Sequence, residues 1–332
     1  MKLKLKLGIK KIKSDDVEKC GKFNINNNTF TTFVKKTNQL NEKFIYTNFQ
    51  QIIGNETIFE NSNISVKAMV VDNIGRLYIG GNFNKIGNLT CNNVGMWDGN
   101  KWHNLADGLV GQVVSLCTDS NNNLYVGGSF DGTYYNTVKS KNIIMWNIYN
   151  KSWIGLDGGV DNGVSSIKKL SNGNIVIAGS FTSSVNSLTY LQKIAYWNGS
   201  MWINLGTDFL IDKSIYALAI DKSNNIYIGG YNNLPISVYN WKTNQWNVLV
   251  DANSNMLDQI INTIIINPSN SNPIFGGIIG NFASISNVFN VIEFDIVSRK
   301  WIPLTNSNGY GLDYQCFILF YDKITSVGRR DI

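Results

Sequence analysis

Between residues 65 and 304 the chain alternates short apolar runs with polar, turn-forming clusters, and it does so on a regular period. The segments LYIGGNF (77–83), LYVGGSF (124–130), IVIAGSF (175–181), IYIGGY (226–231) and PIFGGIIGNF (273–282) are copies of one motif. Their aligned glycines, Gly81, Gly128, Gly179, Gly230 and Gly280, are spaced by 47, 51, 51 and 50 residues. A run such as VKAMVVD (66–72) or VVSLCTD (113–119) precedes each copy. A run such as MWDGNKWHNL (96–105) or MWNIYNKSWIGL (145–156) follows it. All nine tryptophans, Trp97, Trp102, Trp146, Trp153, Trp197, Trp202, Trp241, Trp246 and Trp301, fall in this last motif. Each period reads as four short strands, with turns such as SNNN (120–123) and SNGN (171–174) rich in residues that tolerate positive φ. No stretch keeps helical apolar spacing over three turns, so the chain is all-β.

The tryptophan motif predicts a hairpin. In WDGNKW, WNGSMW and WKTNQW four residues separate the tryptophans, and in WNIYNKSW and FDIVSRKW six separate the aromatics. An even gap leaves the flanking rings opposite one another on one face, across a two-residue turn in the first set and a four-residue turn in the second. Such pairs are worth roughly 0.5–1.5 kcal/mol beyond their burial and are expected to face the neighbouring unit. The paired glycines mark a place where another chain segment comes close.

Four-stranded units repeated about every fifty residues predict a β-propeller. An apolar strand ending in Gly-Gly, then an aromatic beside Asp or Asn, then a tryptophan a few residues on, resembles the kelch repeat. The longer form, G-G-x-F with W-x-G-x-x-W, is similar to the repeats of the fungal cortical cell-polarity marker family and to the kelch-type central propeller of galactose oxidase. The resemblance covers residues 65–304 and speaks to fold, since one fold serves many activities. Residues 23–33, FNINNNTFTTF, superpose on 146–156 with Phe23 and Phe30 at the two tryptophan positions. CFILFYD (316–322) matches the first-strand motif, and ITSVG (324–328) a shortened second strand. The expectation is one propeller domain over 22–332 with six blades, the last closed by 22–33 and 314–328, which would tie down both ends. Seven blades is the alternative, with 34–64 holding a degenerate unit. Residues 1–21 are expected to be a flexible basic tail.

Charge sharpens that division. The chain has 29 basic and 23 acidic residues in 332, a net charge of +6, and residues 1–13 alone hold six lysines and no acid. The remainder is neutral, which argues against a broad nucleic-acid-binding face. Charged residues are 16% and hydrophobic residues 43%, outside the range of a disordered chain. Cys20, Cys91, Cys117 and Cys316 are scattered without a C-x-x-C pair, so neither a disulfide framework nor a redox motif is expected. Lysines interrupt the apolar core a signal peptide needs, and no transmembrane run follows. An intracellular or virion location is the expectation.

The same counts limit the chemistry. His103 is the only histidine. The resemblance to galactose oxidase does not carry its activity, because that copper site needs two histidines and a tyrosine cross-linked to cysteine. Asp119-Ser120-Asn121-Asn122-Asn123 begins like a calcium loop, but Leu124 stands where the turn glycine belongs and no glutamate closes it. Asp72, Asp221 and Asp322 hold the same repeat position as Asp119, so capped turns are expected. Asp98, Asp107, Asp157, Asp161 and Asp208 are candidate paired carboxylates, and all read as turn residues first. No catalytic residue, metal or cofactor is assigned.

What remains is surface. The connections 82–93, 129–141, 180–192, 231–236 and 281–290 vary while the strands do not, which is where binding specificity resides. Tyr134, Tyr135, Tyr190 and Tyr231 are the candidate binding residues, whereas Phe83 and Phe181 recur in G-x-F and are expected to pack between blades. The expected role is a non-catalytic kelch-like propeller acting as a protein-interaction or structural scaffold. The alternatives are a carbohydrate-binding or glycan-cleaving propeller, and a virion- or nucleic-acid-associated structural protein acting through the lysines of 1–13.

Overall fold

The five periods form five four-stranded antiparallel sheets, each running in chain order. The computed structural model describes residues 65–205, 211–231, 236–249, 260–279 and 290–304, and the backbone of two strands at 20–25 and 28–33. The lysine-rich tail, residues 34–64 and the segment 314–328 lie outside the described residues. The chain divides into two compact units, Met1–Gly159 and Val160–Ile332.

The first unit contains a hairpin of β1 (Cys20–Ile25) and β2 (Asn28–Phe33) and two blades. Blade one is β3 (Ser65–Val71), β4 (Leu77–Asn82), β7 (Val94–Trp97) and β8 (Trp102–Asn104), with a small hairpin of β5 (Lys85–Ile86) and β6 (Leu89–Thr90) between its second and third strands. Blade two is β9 (Leu109–Thr118), β10 (Leu124–Thr133), β11 (Ile143–Asn147) and β12 (Ser152–Gly155). The second unit holds three blades: β13 (Val164–Lys169) to β16 (Trp202–Asn204) through β14 (Ile175–Gly179) and β15 (Ile194–Trp197); β17 (Ile215–Ile220), β18 (Ile226–Gly230), β19 (Ser237–Asn240) and β20 (Gln245–Val248); and β21 (Ile260–Ile266), β22 (Pro273–Ile278), β23 (Val291–Asp295) and β24 (Lys300–Pro303). In β1–β2, Phe23 pairs with Phe30 as the superposition on 146–156 predicts. Its turn is shorter than there, because Ile25 already pairs with Asn28.

The aromatic hairpins have the expected register in four blades. Trp97 pairs with Trp102, Trp146 with Trp153, Trp197 with Trp202 and Phe294 with Trp301, with ring centroids 4.7–5.6 Å apart. Blade four corrects the reading of WKTNQW. Trp246 pairs with Tyr239 at 5.2 Å, and Trp241 is the first residue of a four-residue turn. The cause is a cap. Asn240 Oδ1 accepts the N–H groups of Lys242 and Thr243, as Asn147 Oδ1 accepts those of Tyr149 and Asn150. The turn then ends in a left-handed residue, Asn244 at φ 54° or Lys151 at φ 48°. Trp241 reaches back to Tyr196 of the preceding blade at 5.4 Å, and Ile148, at the same turn position, packs on the cluster containing Met96.

The glycine pairs, and Ala178-Gly179 in their place in blade three, sit opposite a one-residue bulge in the first strand of every blade. A Cβ on the second glycine would run into a carbonyl oxygen across that bulge: Ser65 for Gly81, Gln112 for Gly128, Gly163 for Gly179 and Ser214 for Gly230. In blade five that residue is Gly277, which faces the carbonyl of Ile260, so the fifth glycine of the repeat is Gly277. Gly280 lies outside the described residues. The residue two after this glycine is then held by an asparagine in left-handed conformation. Asn93 Oδ1 accepts the Phe83 N–H at 3.0 Å, Asn142 Oδ1 that of Phe130 at 3.1 Å and Asn290 Oδ1 that of Ile279 at 3.1 Å. Phe83, Phe130 and Phe181 are buried.

Within each unit successive blades are joined at both ends of their sheets. The Trp153 indole N–H donates to the Leu105 carbonyl, and that of Trp246 to the Leu205 carbonyl at 2.7 Å. At the first turns, Asn122 Oδ1 accepts the Asn73 N–H and Asn224 Oδ1 accepts the Ser171 N–H. A Cβ on Gly80 would strike Val113 of the next blade, and one on Gly229 would strike Ile261. These close approaches let apolar cores run from blade to blade, from Tyr78 and Leu105 to Val113 and Trp153 in one unit, and from Ala178 and Leu205 to Leu218 and Tyr239 in the other.

Candidate binding surface

The connections between second and third strands carry the predicted aromatic residues, and the preceding blade holds these connections in place. In the first unit the carboxylate of Asp107, which follows blade one, accepts the Tyr135 N–H of blade two at 2.9 Å. The Thr137 hydroxyl lies 3.5 Å from the same oxygen. Tyr134 N–H donates to the Gly108 carbonyl at 3.1 Å. The base of the tip is closed by Thr133, whose hydroxyl meets that of Thr137 and accepts the Val138 N–H at 3.0 Å. On this base Tyr134 and Tyr135 stand 51% and 75% exposed, edge to face, with ring centroids 5.4 Å apart. A ring pair on a backbone so tied loses little freedom on docking.

The second unit repeats the device with a stronger clamp. Asp161 accepts from Thr182 N–H at 2.7 Å, Thr182 Oγ1 at 2.6 Å, Ser183 N–H at 3.1 Å and Ser183 Oγ at 3.2 Å. Burial pushes its carboxyl up, but these four bonds outweigh burial and hold it below the usual carboxylate range. The loop they fix presents Tyr190, 57% exposed, beyond a chain of hydroxyls from Ser184 through Ser187 to Thr189. Tyr231, 46% exposed, stands against Tyr216, a residue the sequence did not single out, with ring centroids 6.0 Å apart. Tyr216 is the extra residue of the blade-four bulge, and burial, then the neighbouring Tyr231 phenol, push its hydroxyl up.

The other candidates resolve into local structure. Asp119 Oδ1 accepts the N–H groups of Asn121 and Asn123, and Oδ2 accepts the Asn123 amide, so the calcium-like run is a capped turn. Asp221 is bonded in the same way. His103 Nε2 lies 2.5 Å from Asp98 Oδ2. For Asp98, burial is outweighed by bonds from Lys101 N–H, His103 and Asn100 N–H, which hold its carboxyl at about 2. Asp157 occupies a left-handed turn position at φ 54°. Asp208 lies outside the described residues. Cys91 is buried, which pushes its thiol up to about 12 and leaves it protonated at neutral pH. Among the described residues no group of three or more His, Cys, Asp or Glu could hold a metal ion.

Four-stranded antiparallel units in tandem, bonded blade to blade and varying in their connections, are those of a β-propeller. The family model of the Rax2 C-terminal beta propeller domain matches residues 44–225, and the chain belongs to that family. No curated protein sequence matches it. Among solved structures it is similar to the extracellular domain of the one-component system BT4673 from B. thetaiotaomicron, at 12% identity and a TM-score of 0.59 over 93% of this chain and 35% of that one. It is also similar to the extracellular domain of the hybrid two-component system BT4673 from the same organism, at 12% identity and a TM-score of 0.50 over 81% of this chain and 37% of that one. The chain thus spans about a third of the length of these relatives, and at such identity the likeness is one of fold.

Proposed function

We propose that this propeller is a non-catalytic scaffold that docks another protein through the connections between its second and third strands. The observation that carries the reading is the Tyr134–Tyr135 pair. Two exposed rings on a backbone fixed by Asp107 and Gly108 are anchors that need little ordering on binding. Tyr190, on a loop fixed by Asp161, is a second anchor of the same construction. The repeat is of the kelch type. Six blades is the count we propose, supported by the Phe23–Phe30 register, which matches that of Trp146 and Trp153 and makes β1–β2 a third-and-fourth-strand hairpin. The lysines of 1–13 are the one route by which a nucleic acid would be held.

The test is co-purification from the native source with the wild-type chain and with Tyr134→Ala/Tyr135→Ala. A partner retained by the wild type and lost by the variant, with near-UV circular dichroism unchanged, supports the reading. Equal recovery by both removes this tip as the docking surface.

A further inference from the structure

The first strands contain a position that the repeat holds in place structurally but leaves free in chemistry. Each bulge has an apolar β-branched residue before it: Val66, Val113, Val164, Ile215 and Ile261. Each has a small residue after it: Ala68, Ser115, Ser166, Ala217 and Thr263. The bulged residue itself is Lys67, Val114, Ser165, Tyr216 and Asn262, no two alike, and none is fully buried. The flanks are constrained by packing, since Val113 and Ile261 enter the space left by Gly80 and Gly229. Val113, Ile215 and Ile261 belong to the apolar cores, whereas a bulge is a device for re-aiming the one side chain it adds.

In the second unit the first strands of consecutive blades pack side by side, β13 on β17 and β17 on β21. Ser165, Tyr216 and Asn262 therefore occupy the same level of three neighbouring strands. They offer a hydroxyl, a phenol and an amide, and no charge. Tyr231 adds a second half-exposed ring beside Tyr216, and its N–H is tied to the carbonyl of Ser214. Ser214 Oγ accepts from Ser180 Oγ at 3.0 Å, which puts two more hydroxyls at the base of Tyr231. The charges nearest Tyr216 in sequence, Asp212 and Lys213, lie 3.6 Å apart as a pair, while Lys168 and Lys169 stand beyond Ser165 at the far end of β13.

We propose that the bulge position is the ligand-reading position of each blade, and that in the second unit Ser165, Tyr216 and Asn262, with Tyr231, bind a neutral oligosaccharide. Aromatic rings stack on the C–H faces of a sugar, and uncharged donors and acceptors read its hydroxyls. This does not rest on the protein-docking reading of Tyr134 and Tyr135.

The experiment is titration calorimetry of the full chain with cellohexaose, mannohexaose and chitohexaose as probes. It is repeated on Tyr216→Lys, Tyr216→Phe and Tyr134→Ala/Tyr135→Ala. Tyr216→Lys installs the residue that blade one carries at this bulge, Lys67, and an unchanged urea midpoint is the control for its folding. The expected result is binding of at least one hexasaccharide, weakened about tenfold or more by Tyr216→Lys and severalfold by Tyr216→Phe, and unchanged in the Tyr134/Tyr135 variant. Absence of binding to all three probes, or binding indifferent to Tyr216→Lys, overturns the proposal. Loss of binding only in the Tyr134/Tyr135 variant overturns it in favour of a site on the loop tip.

Discussion

The indole N–H of Trp153 donates to the carbonyl oxygen of Leu105 across 3.0 Å, from the fourth strand of one blade to the end of the fourth strand of the blade before it. Leu105 is buried, so that oxygen has no water to fall back on. Trp153→Phe keeps a ring against Trp146 but leaves the carbonyl unmet. The expected cost is about 1–3 kcal/mol, read as a lower urea midpoint at unchanged slope. Trp246→Phe, at the half-buried equivalent, should cost less.

Two glycine substitutions separate close approach from backbone conformation. Gly128→Ala drives a methyl group into the carbonyl of Gln112 and should destabilise by about 3 kcal/mol. Gly173→Ala meets nothing within 4 Å and carries only the strain of φ +92°, about 1–2 kcal/mol. Comparable midpoints for the two variants would count against the bulge geometry.

Blade five organises its first turn differently from its neighbours. Where blades one, two and four place an aspartate at the end of the first strand, blade five has Asn267, and the carboxylate comes instead from Glu293 on the third strand. Asn270 and Asn272 donate to Glu293 Oε1 at 2.7 and 2.8 Å, and Asn267 to Oε2 at 3.4 Å. Glu293→Ala strands these donors and should cost about 2–3 kcal/mol. Glu293→Gln should recover only part of it, because its NH₂ faces other NH₂ groups. Thermal denaturation of both variants checks the order.

Asp107 acts on the loop of the next blade. Asp107→Ala frees the Tyr135 N–H, and hydrogen exchange at that amide should speed by at least about tenfold while the strand amides of β10 stay protected. Asp107→Asn retains an acceptor oxygen and should exchange nearly as slowly as the wild type.

Acid should weaken the fold through the turn carboxylates. Asp98 is held at about 2 against an ordinary 3.8, and Asp161 is also lowered. A carboxyl depressed in the folded state contributes stability above its unfolded value and loses it as pH falls through the folded one. Stability measured by urea unfolding should therefore drop between about pH 4 and pH 2, and Asp161→Asn should flatten that slope.

Much of this could be read along the chain, because strands, turns and aromatic pairs are local. Where the reading failed, two local patterns were equally good. WKTNQW and YNWKTNQW both give even gaps, and the cap on Asn240 decides between them. PIFGGIIGNF offers three glycines, and the carbonyl of Ile260, fixed by the facing strand, selects Gly277. Tyr134, Tyr135 and Tyr190 stand out in the sequence because they recur nowhere in the repeat. Tyr216 does not, because only a backbone irregularity sets it apart. In the sequence Asp107 and Asp161 read as turn residues, but their partners lie 28 and 21 residues further on, in the following blade.

The indole bonds that join successive blades are addressed to main-chain oxygens. A carbonyl is present whatever side chain its residue carries, so this latch makes no demand on the neighbour's composition. A gene that copied one such module in frame would produce a protein whose new unit already knew where to attach, while the residues on its connections could drift toward new ligands.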